Sequence, residues 1–375
     1  YKGLYKEINP GNKILIDDGL LELEVIEIKN KDIICEVKNT TKLGSTKTVS
    51  LPDVKVRIKS PTKKDWDDIE WGIKNDVDFI ALSFVRNSKE VESVRKILDK
   101  SGSKIKLISK IENKEGLDNF DDILSSSDGI MIARGDLAVE IPAEEVPLLQ
   151  KELIFKCNIA GKPAITATQM LESMAYNPRP TRAEINDVAN AVLDGTDAVM
   201  LSGETAKGNY PMLSVKHMAT ACKYIEKNSP DLIKRVHKAD LPKFRINEFI
   251  TNSVYHASKH LPEIKSILAP TKTGYTARKI CRFKPNVPII AFVEDVRLAR
   301  QLHLSWGIYP ILFDHPKTTS ELIAKSIELS LENNLIKEED TIIVTAGVPI
   351  RQSGTTNMLE IINAGDYLKF RHQSQ

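Results

Sequence analysis

Residues 105–116 read IKLISKIENKEG. An apolar lead-in, Leu107-Ile108, runs straight into Lys110 and Glu112, opposite charges separated only by Ile111. Strand side chains alternate with period two, so Lys110 and Glu112 share one face and Ile111 takes the other. Desolvated charges are costly unless paired, metal-bound or chemically employed. The stretch reads as a buried strand with a working tip, and its neighbours decide the fold. Helical WDDIEWGIKN (66–75) precedes strand VDFIALSF (77–84), and helical KEVESVRKILDK (89–100) precedes IKLISKIE (105–112). LDNFDDILSS then leads to DGIMIARG (128–135), AEEVPLLQKELIFKCNIAG to KPAITATQ (162–169), and TRAEINDVANAVLDG to DAVMLSG (197–203). Five buried strands alternating with helices are the signature of a parallel α/β domain. The pattern fits an open sheet or most of an eight-stranded barrel.

Outward from this block the pattern changes twice. Residues 1–59 look β-rich: KILIDDGLLELEVIEI and DIICEVKN alternate apolar and polar residues, and IDDG at 16–19 reads as a hairpin turn. VRIKSPTKK (56–64) carries a proline and several charges and reads as a boundary, so domains are expected at 1–59, 60–230 and 231–375. The last region alternates again: SILAPTKTG, VPIIAFV, IYPILF and TIIVTAG each lead into a helix or a Ser/Gly/Thr-rich loop, as in a separate doubly wound sheet.

The 375 residues exceed one ordinary core. Formal net charge is +2, with no block of like charge, so nothing points to nucleic acid. Cys35, Cys157, Cys222 and Cys281 form no CxxC, which suggests neither zinc nor a disulfide framework and fits a reducing, cytoplasmic compartment. No apolar run approaches 18 residues, so no membrane contact is expected.

Four successive strand ends carry polar groups: SKIEN, ARGD, TATQ and LSGET. Ligands of parallel barrels and sheets sit at the carboxyl ends of strands. Each cluster read singly is also an ordinary strand cap. By continued alternation Arg134 and Asp136 share a face, and Gly135 lets backbone approach a ligand. Glu112 and Asp136 could converge on one Mg²⁺, which is commonly held by two carboxylates with water and substrate oxygens filling the other positions. Lys110 beside it would suit a phosphoryl oxygen or an enolate; a structural Lys–Glu pair is the competing interpretation. Thr168 and Ser202 offer hydroxyls, though such residues after a strand are often helix N-caps.

SKIENKEG, IMIARGDLAVEIP, GKPAITATQMLESM and NPRPTRAEINDVANAVLDGTDAVMLSGETAKGNYP together resemble the pyruvate kinase family. The resemblance runs from Asp17-Asp18-Gly19 to SGTTN at 353–357. It implies a (β/α)₈ barrel, a small β-barrel lid inserted after the third strand, and a C-terminal α/β effector domain. On that reading the five strands are the last five of the barrel, and the first three units and the start of the lid are absent from the sequence. The implied reaction moves the phosphoryl group of phosphoenolpyruvate to ADP, with Mg²⁺ on Glu112 and Asp136 and K⁺ held in the absent head. Lys110 would neutralise the transferring group, the backbone of Ala133, Arg134 and Gly135 would take the substrate carboxylate, and Thr168 would lie near the enolate carbon. Ser202 would lie on its proton route, Lys47 would touch nucleotide phosphates, and Arg182 would stand at a homotetramer contact.

The family loop matching Thr271, Lys272, Thr273, Gly274 and Thr276 binds a phosphosugar effector. With Ser353, Gly354, Thr355 and Thr356 facing it, a sugar phosphate or AMP is expected. The sequence departs from the family at Ala138, Thr48, Ser50 and Asp53. SPTKKDWDDIEWGI (60–73) resembles organelle-type members, so an organellar location stays beside the cytoplasmic one. An enolate-stabilising lyase or aldolase, and a non-catalytic phosphometabolite-binding protein, are the alternatives.

Overall fold

A computed structural model describes residues 1–237, 240–241, 245–314, 316–348 and 356–373. Residues 353–355 of the expected effector site lie outside them. Two compact units emerge. One comprises Tyr1–Leu153, Ile165–Glu184 and Met200–Lys216; the other comprises Ile154–Ala164, Ile185–Val199 and His217–Gln375.

The first unit opens with a four-stranded antiparallel sheet: β1 (Lys13–Ile16), β2 (Leu21–Lys29), β3 (Asp32–Val37) and β4 (Val49–Ser50), in the order β3-β2-β1-β4. Asp18 (φ 55°) and Gly19 (φ 84°) make the left-handed pair that a two-residue hairpin turn requires, closed by the Leu20 amide donating to Asp17 O at 3.0 Å. Ile8, Ile14 and Val25 form its small core, with Leu4, Ile16 and Leu23 packed around them.

The five strands expected in the middle of the chain are β5 (Phe79–Leu82), β6 (Lys106–Ile111), β7 (Gly129–Ala133), β8 (Ala164–Ala167) and β9 (Ala198–Met200). They lie side by side in sequence order, with β5–β6 and β6–β7 parallel. In chain order, α1 (Lys63–Lys74), α2 (Ser88–Lys100), α3 (Lys114–Asp118), α4 (Phe120–Ser126), α5 (Arg134–Glu140), α6 (Val146–Ala160), α7 (Arg182–Leu193), α8 (Gly203–Ala206) and α9 (Pro211–Asn228) precede, separate and follow these strands. α1 starts at a capping box in which the Thr62 hydroxyl accepts from the Asp65 amide and the Asp65 carboxylate accepts from the Thr62 amide. α2 buries Val91, Val94 and Leu98, three to four residues apart on one helical face. Leu107, Ile108, Ile111, Ile130 and Ile132 are all buried, as expected for strands covered on both sides.

The second unit contains β10 (Ile264–Pro270), β11 (Ile289–Val293), β12 (Ile308–Leu312), β13 (Thr341–Gly347) and β14 (Thr356–Asn363), in the order β12-β11-β10-β13-β14. Only the β13–β14 pair is antiparallel. Strand alternation divides its apolar residues between two cores. Ile267, Ala269, Ile289, Ala291 and Ile343 meet α10 (Ile246–His260), α11 (Tyr275–Cys281) and α12 (Val296–Leu302). Leu268, Ile290, Phe292, Ile342 and Val344 meet α13 (Thr319–Glu332) and α14 (Ala364–Gln373). Both faces are covered, which is the doubly wound arrangement expected from the alternating sequence. Among the described residues no helix is long and apolar enough to cross a membrane.

Candidate functional site

The ends of β5 to β9 supply the site. Lys110 Nζ lies 2.6 Å from Glu112 Oε1, so the two charges do share a face. The same ammonium donates to Ser83 Oγ at 3.0 Å, and the Phe84 amide donates to Glu112 Oε2 at 2.5 Å. Phe84 reaches that position with a positive φ of 52°. Glu112 is 1% exposed and Lys110 24%. The carboxylate is therefore fixed from within while the ammonium keeps an open side.

β7 ends earlier than the alternation argument assumed. Ala133 is its last residue, and Arg134 begins α5. Residues two apart on a helix do not face the same way, so the expected shared face of Arg134 and Asp136 is overturned. The Arg134 guanidinium turns inward, donating to Ala167 O (3.3 Å), Thr168 O (2.8 Å) and Gln150 Oε1 (3.2 Å). It braces a turn in which Thr168 (φ 67°) and Gln169 (φ 54°) are both left-handed, a conformation that is strained for non-glycine residues. There Thr168 Oγ1 accepts from the Gly135 amide at 2.7 Å and donates to Ala167 O at 2.6 Å. The Gly135 backbone thus meets Thr168, and a Cβ at 135 would sit 3.2 Å from that hydroxyl.

Asp136 stands half-buried in the first turn of α5, which has no side-chain cap. Burial pushes its carboxyl up; the Lys110 charge opposes this, and the Asp18 carboxylate of the hairpin turn adds to it. Glu140, one turn on, is pushed up by burial and by the Asp53 and Asp136 charges. Asp136 thus feels the Asp18 carboxylate as well as the Lys110 ammonium, and crowding of like charges is a state that a divalent cation relieves. Among the described residues no three His, Cys, Asp or Glu side chains are grouped to hold a metal unaided.

Ser202 occupies the cap position of α8 without making a side-chain cap bond. Its amide donates to Glu204 Oε2 at 2.8 Å, while the Leu171 amide donates to Glu204 Oε1 at 3.0 Å. Fully buried Glu204 therefore ties the loops after β8 and β9 together. Glu172 beside it is pushed up by its own burial and by the Glu204 charge.

Lys47 is exposed and ion-paired to Asp17 at 2.9 Å, and Thr48 Oγ1 donates to Asp18 Oδ1 at 3.0 Å. Both contacts join the 47–48 segment to the hairpin turn. Arg182 opens α7 at the surface. In the second unit Thr271 is buried and Lys272 and Thr273 are exposed. Gly274 is left-handed at φ 74°, and a Cβ there would meet Arg278 Nη1 at 2.7 Å and Leu302 Cδ2 at 2.8 Å. The Thr276 and Thr356 hydroxyls are buried and 2.7 Å apart, bonded to each other.

Ser83, Phe84 and Glu204 were missed by sequence reading. The first strand end, LSF, shows no charge, and a backbone amide leaves no mark in composition. Glu204 lies in the LSGET string, but the two hydrogen bonds it accepts from the Ser202 and Leu171 amides depend on two loops meeting.

The pyruvate kinase barrel domain matches residues 1–215, and the pyruvate kinase alpha/beta domain matches residues 248–362. The pyruvate kinase of Clostridium acetobutylicum is 46% identical over 363 residues, covering 96% of this chain and 76% of that protein. That of Staphylococcus epidermidis is 48% identical over 375 residues, covering 98% of this chain and 63% of that protein. That of Bacillus licheniformis is 45% identical over 372 residues, with 98% and 63% covered. Most of these relatives are thus matched over a little under two thirds of their length. The chain belongs to the pyruvate kinase family.

Proposed function

We propose that this chain carries the phosphoryl-transfer site at which phosphoenolpyruvate and ADP become pyruvate and ATP. The observation that carries the reading is the half-open Lys110–Glu112 pair, with Asp136 pressed upward beside it. Phosphoryl transfer asks for positioning and charge neutralisation more than for covalent chemistry. Lys110, anchored by Glu112 and Ser83, presents its ammonium to the transferring oxygens and to the enolate left behind. Glu112 and Asp136 would hold Mg²⁺, which when bound neutralises phosphoryl and carboxylate oxygens. The backbone of Ala133, Arg134 and Gly135, at a start of α5 where the N-cap residue makes no side-chain bond and the Gly135 amide meets Thr168, would take the substrate carboxylate. Thr168, fixed by Gly135 and Ala167, lies by the enolate carbon, and Ser202 stands on the route by which its proton arrives.

Lys47 binds the nucleotide phosphates by exchanging its Asp17 partner for them. K⁺ is implied by the family alone, with no residue here assigned to it. Residues 1–59 act as the lid, 60–230 as the barrel and 231–375 as the effector domain, and Arg182 stands at a homotetramer contact. A phosphosugar or AMP binds at Thr271, Lys272, Thr273 and Gly274. The Thr276–Thr356 pair forms the floor of that site rather than its mouth, since each hydroxyl already bonds the other. Four free thiols suit the cytoplasm.

Lys110→Met tests the assignment. Turnover of phosphoenolpyruvate with ADP should fall by about two to three powers of ten, the scale of losing a transition-state donor. Near-normal turnover would remove Lys110 from the mechanism.

A further inference from the structure

The chain leaves the small sheet through a strap, residues 54–59, that has no regular secondary structure. Two of its carbonyls are gripped by one side chain. Arg86 Nη1 donates to Val56 O at 2.7 Å, and Nη2 donates to Ile58 O at 2.7 Å. Residues two apart on an extended chain present groups to the same side, and a planar guanidinium spans such a pair where an ammonium cannot.

The guanidinium is itself held. Its Nε and Nη2 donate to Glu90 Oε1 at 3.0 and 2.7 Å, while the Arg86 amide donates to Glu90 Oε2 at 2.9 Å. Glu90 is 8% exposed, so its carboxylate is buried against one partner that answers both oxygens. Asn119 Nδ2 bonds Arg86 O at 2.9 Å and fixes the backbone as well. Just before the strap, Lys114 pairs with Asp53 at 3.3 Å, but both side chains are more than half exposed, a class of pair that contributes little. Arg86 is also two residues from Phe84 and three from Ser83, the groups that engage Glu112 and Lys110.

We propose that Arg86 is a positioning residue: it latches the strap and so sets the approach of the small sheet, with its Lys47, to the Lys110–Glu112 end of the barrel. The expected effect on ADP rests on the reading of Lys47 as the nucleotide-phosphate residue; the grip on the strap does not. Arg86 touches no reacting group in this scheme, so its loss acts on nucleotide binding rather than on the bond-breaking step.

The test compares Arg86→Ala and Arg86→Lys with the parent full chain in three measurements: steady-state kinetics varying ADP and phosphoenolpyruvate separately, hydrogen–deuterium exchange of residues 54–60, and thermal unfolding. In Arg86→Ala the KM for ADP should rise about tenfold or more, as charged hydrogen bonds are lost. Exchange across 54–60 should speed up by a similar factor, whereas the KM for phosphoenolpyruvate should change less than about threefold. Arg86→Lys should recover part of both effects by serving one carbonyl. Unchanged exchange at 54–60, or equal rises in both KM values, overturns the latch. Lys47→Ala separates the two ideas: if it leaves the KM for ADP alone while Arg86→Ala still loosens the strap, the nucleotide reading fails and the latch survives.

Discussion

Two lysine–carboxylate pairs, one in each compact unit, use the same chemistry for opposite ends. In the second unit Asp197 is 4% exposed and Lys284 fully buried, with Nζ to Oδ1 at 2.8 Å. Oδ1 also accepts from the Trp306 amide (3.0 Å) and the Cys281 thiol (3.5 Å), and Oδ2 from the Ala164 amide (3.0 Å). That pair is sealed on every side. In the first unit the carboxylate of Glu112 is equally deep, yet Lys110 keeps an open side and its charge reaches the Asp136 carboxylate. A closed pair fixes structure, because nothing can reach it. A half-open one keeps a charge poised for a ligand. The surroundings of the two lysines, rather than their identity or spacing to the acid, make the distinction.

Lys284→Met puts the closed pair to the severest test. It leaves Asp197 charged and buried with its cation gone, and should cost about 3–5 kcal/mol of stability by denaturant unfolding. A loss below about 1 kcal/mol would show that the amides and thiol alone satisfy Asp197. Lys110→Met should cost the fold less, about 1–2 kcal/mol, because water can enter beside Glu112. Its turnover should nonetheless collapse if Lys110 has the role proposed for it. Equal stability losses in the two variants would erase the contrast drawn here.

The smallest expected effect is a pH slope. Burial and Asp18 raise the Asp136 carboxyl in the folded protein above its ordinary value. Folding therefore favours the protonated form: its contribution is fully present below the ordinary Asp range and is lost as pH rises through the raised value. Without divalent cation, stability should fall across that window; Asp136→Asn should flatten the slope, and Mg²⁺ should reverse it. A parent slope that persists in Asp136→Asn would assign it to another acid, with Glu140 next in line.

Much of this architecture was legible beforehand, because buried strands and amphipathic helices write their periods into the chain. The five middle strands, the IDDG turn at 16–19 and the doubly wound alternation of the last region all follow from local pattern. The 110–112 pair was legible for the same reason, since both residues lie on one strand tip. Arg134 was misplaced because alternation was carried past Ala133, where α5 takes over. Nothing in ARGD marks that switch from period two to period 3.6. Lys284 shows nothing of its role in the sequence, as its partner lies 87 residues away. Pairings across such separations are set by packing, and single-sequence patterns do not carry them. The same holds for Glu204, whose importance comes from two amides in separate loops.

The loop that carries Ser83, Phe84 and Arg86 rests against Gly116, where a Cβ would fall 2.6 Å from Val85 O. For anyone building variant libraries of this molecule, position 116 is a fixed shim: even alanine would lift the loop, shifting Ser83 and Phe84 away from Lys110 and Glu112 and Arg86 away from the strap in a single displacement. Lesions that act on phosphate chemistry and on nucleotide capture together should therefore cluster at this one buried glycine. Changes at neighbouring exposed Lys89 should go unnoticed.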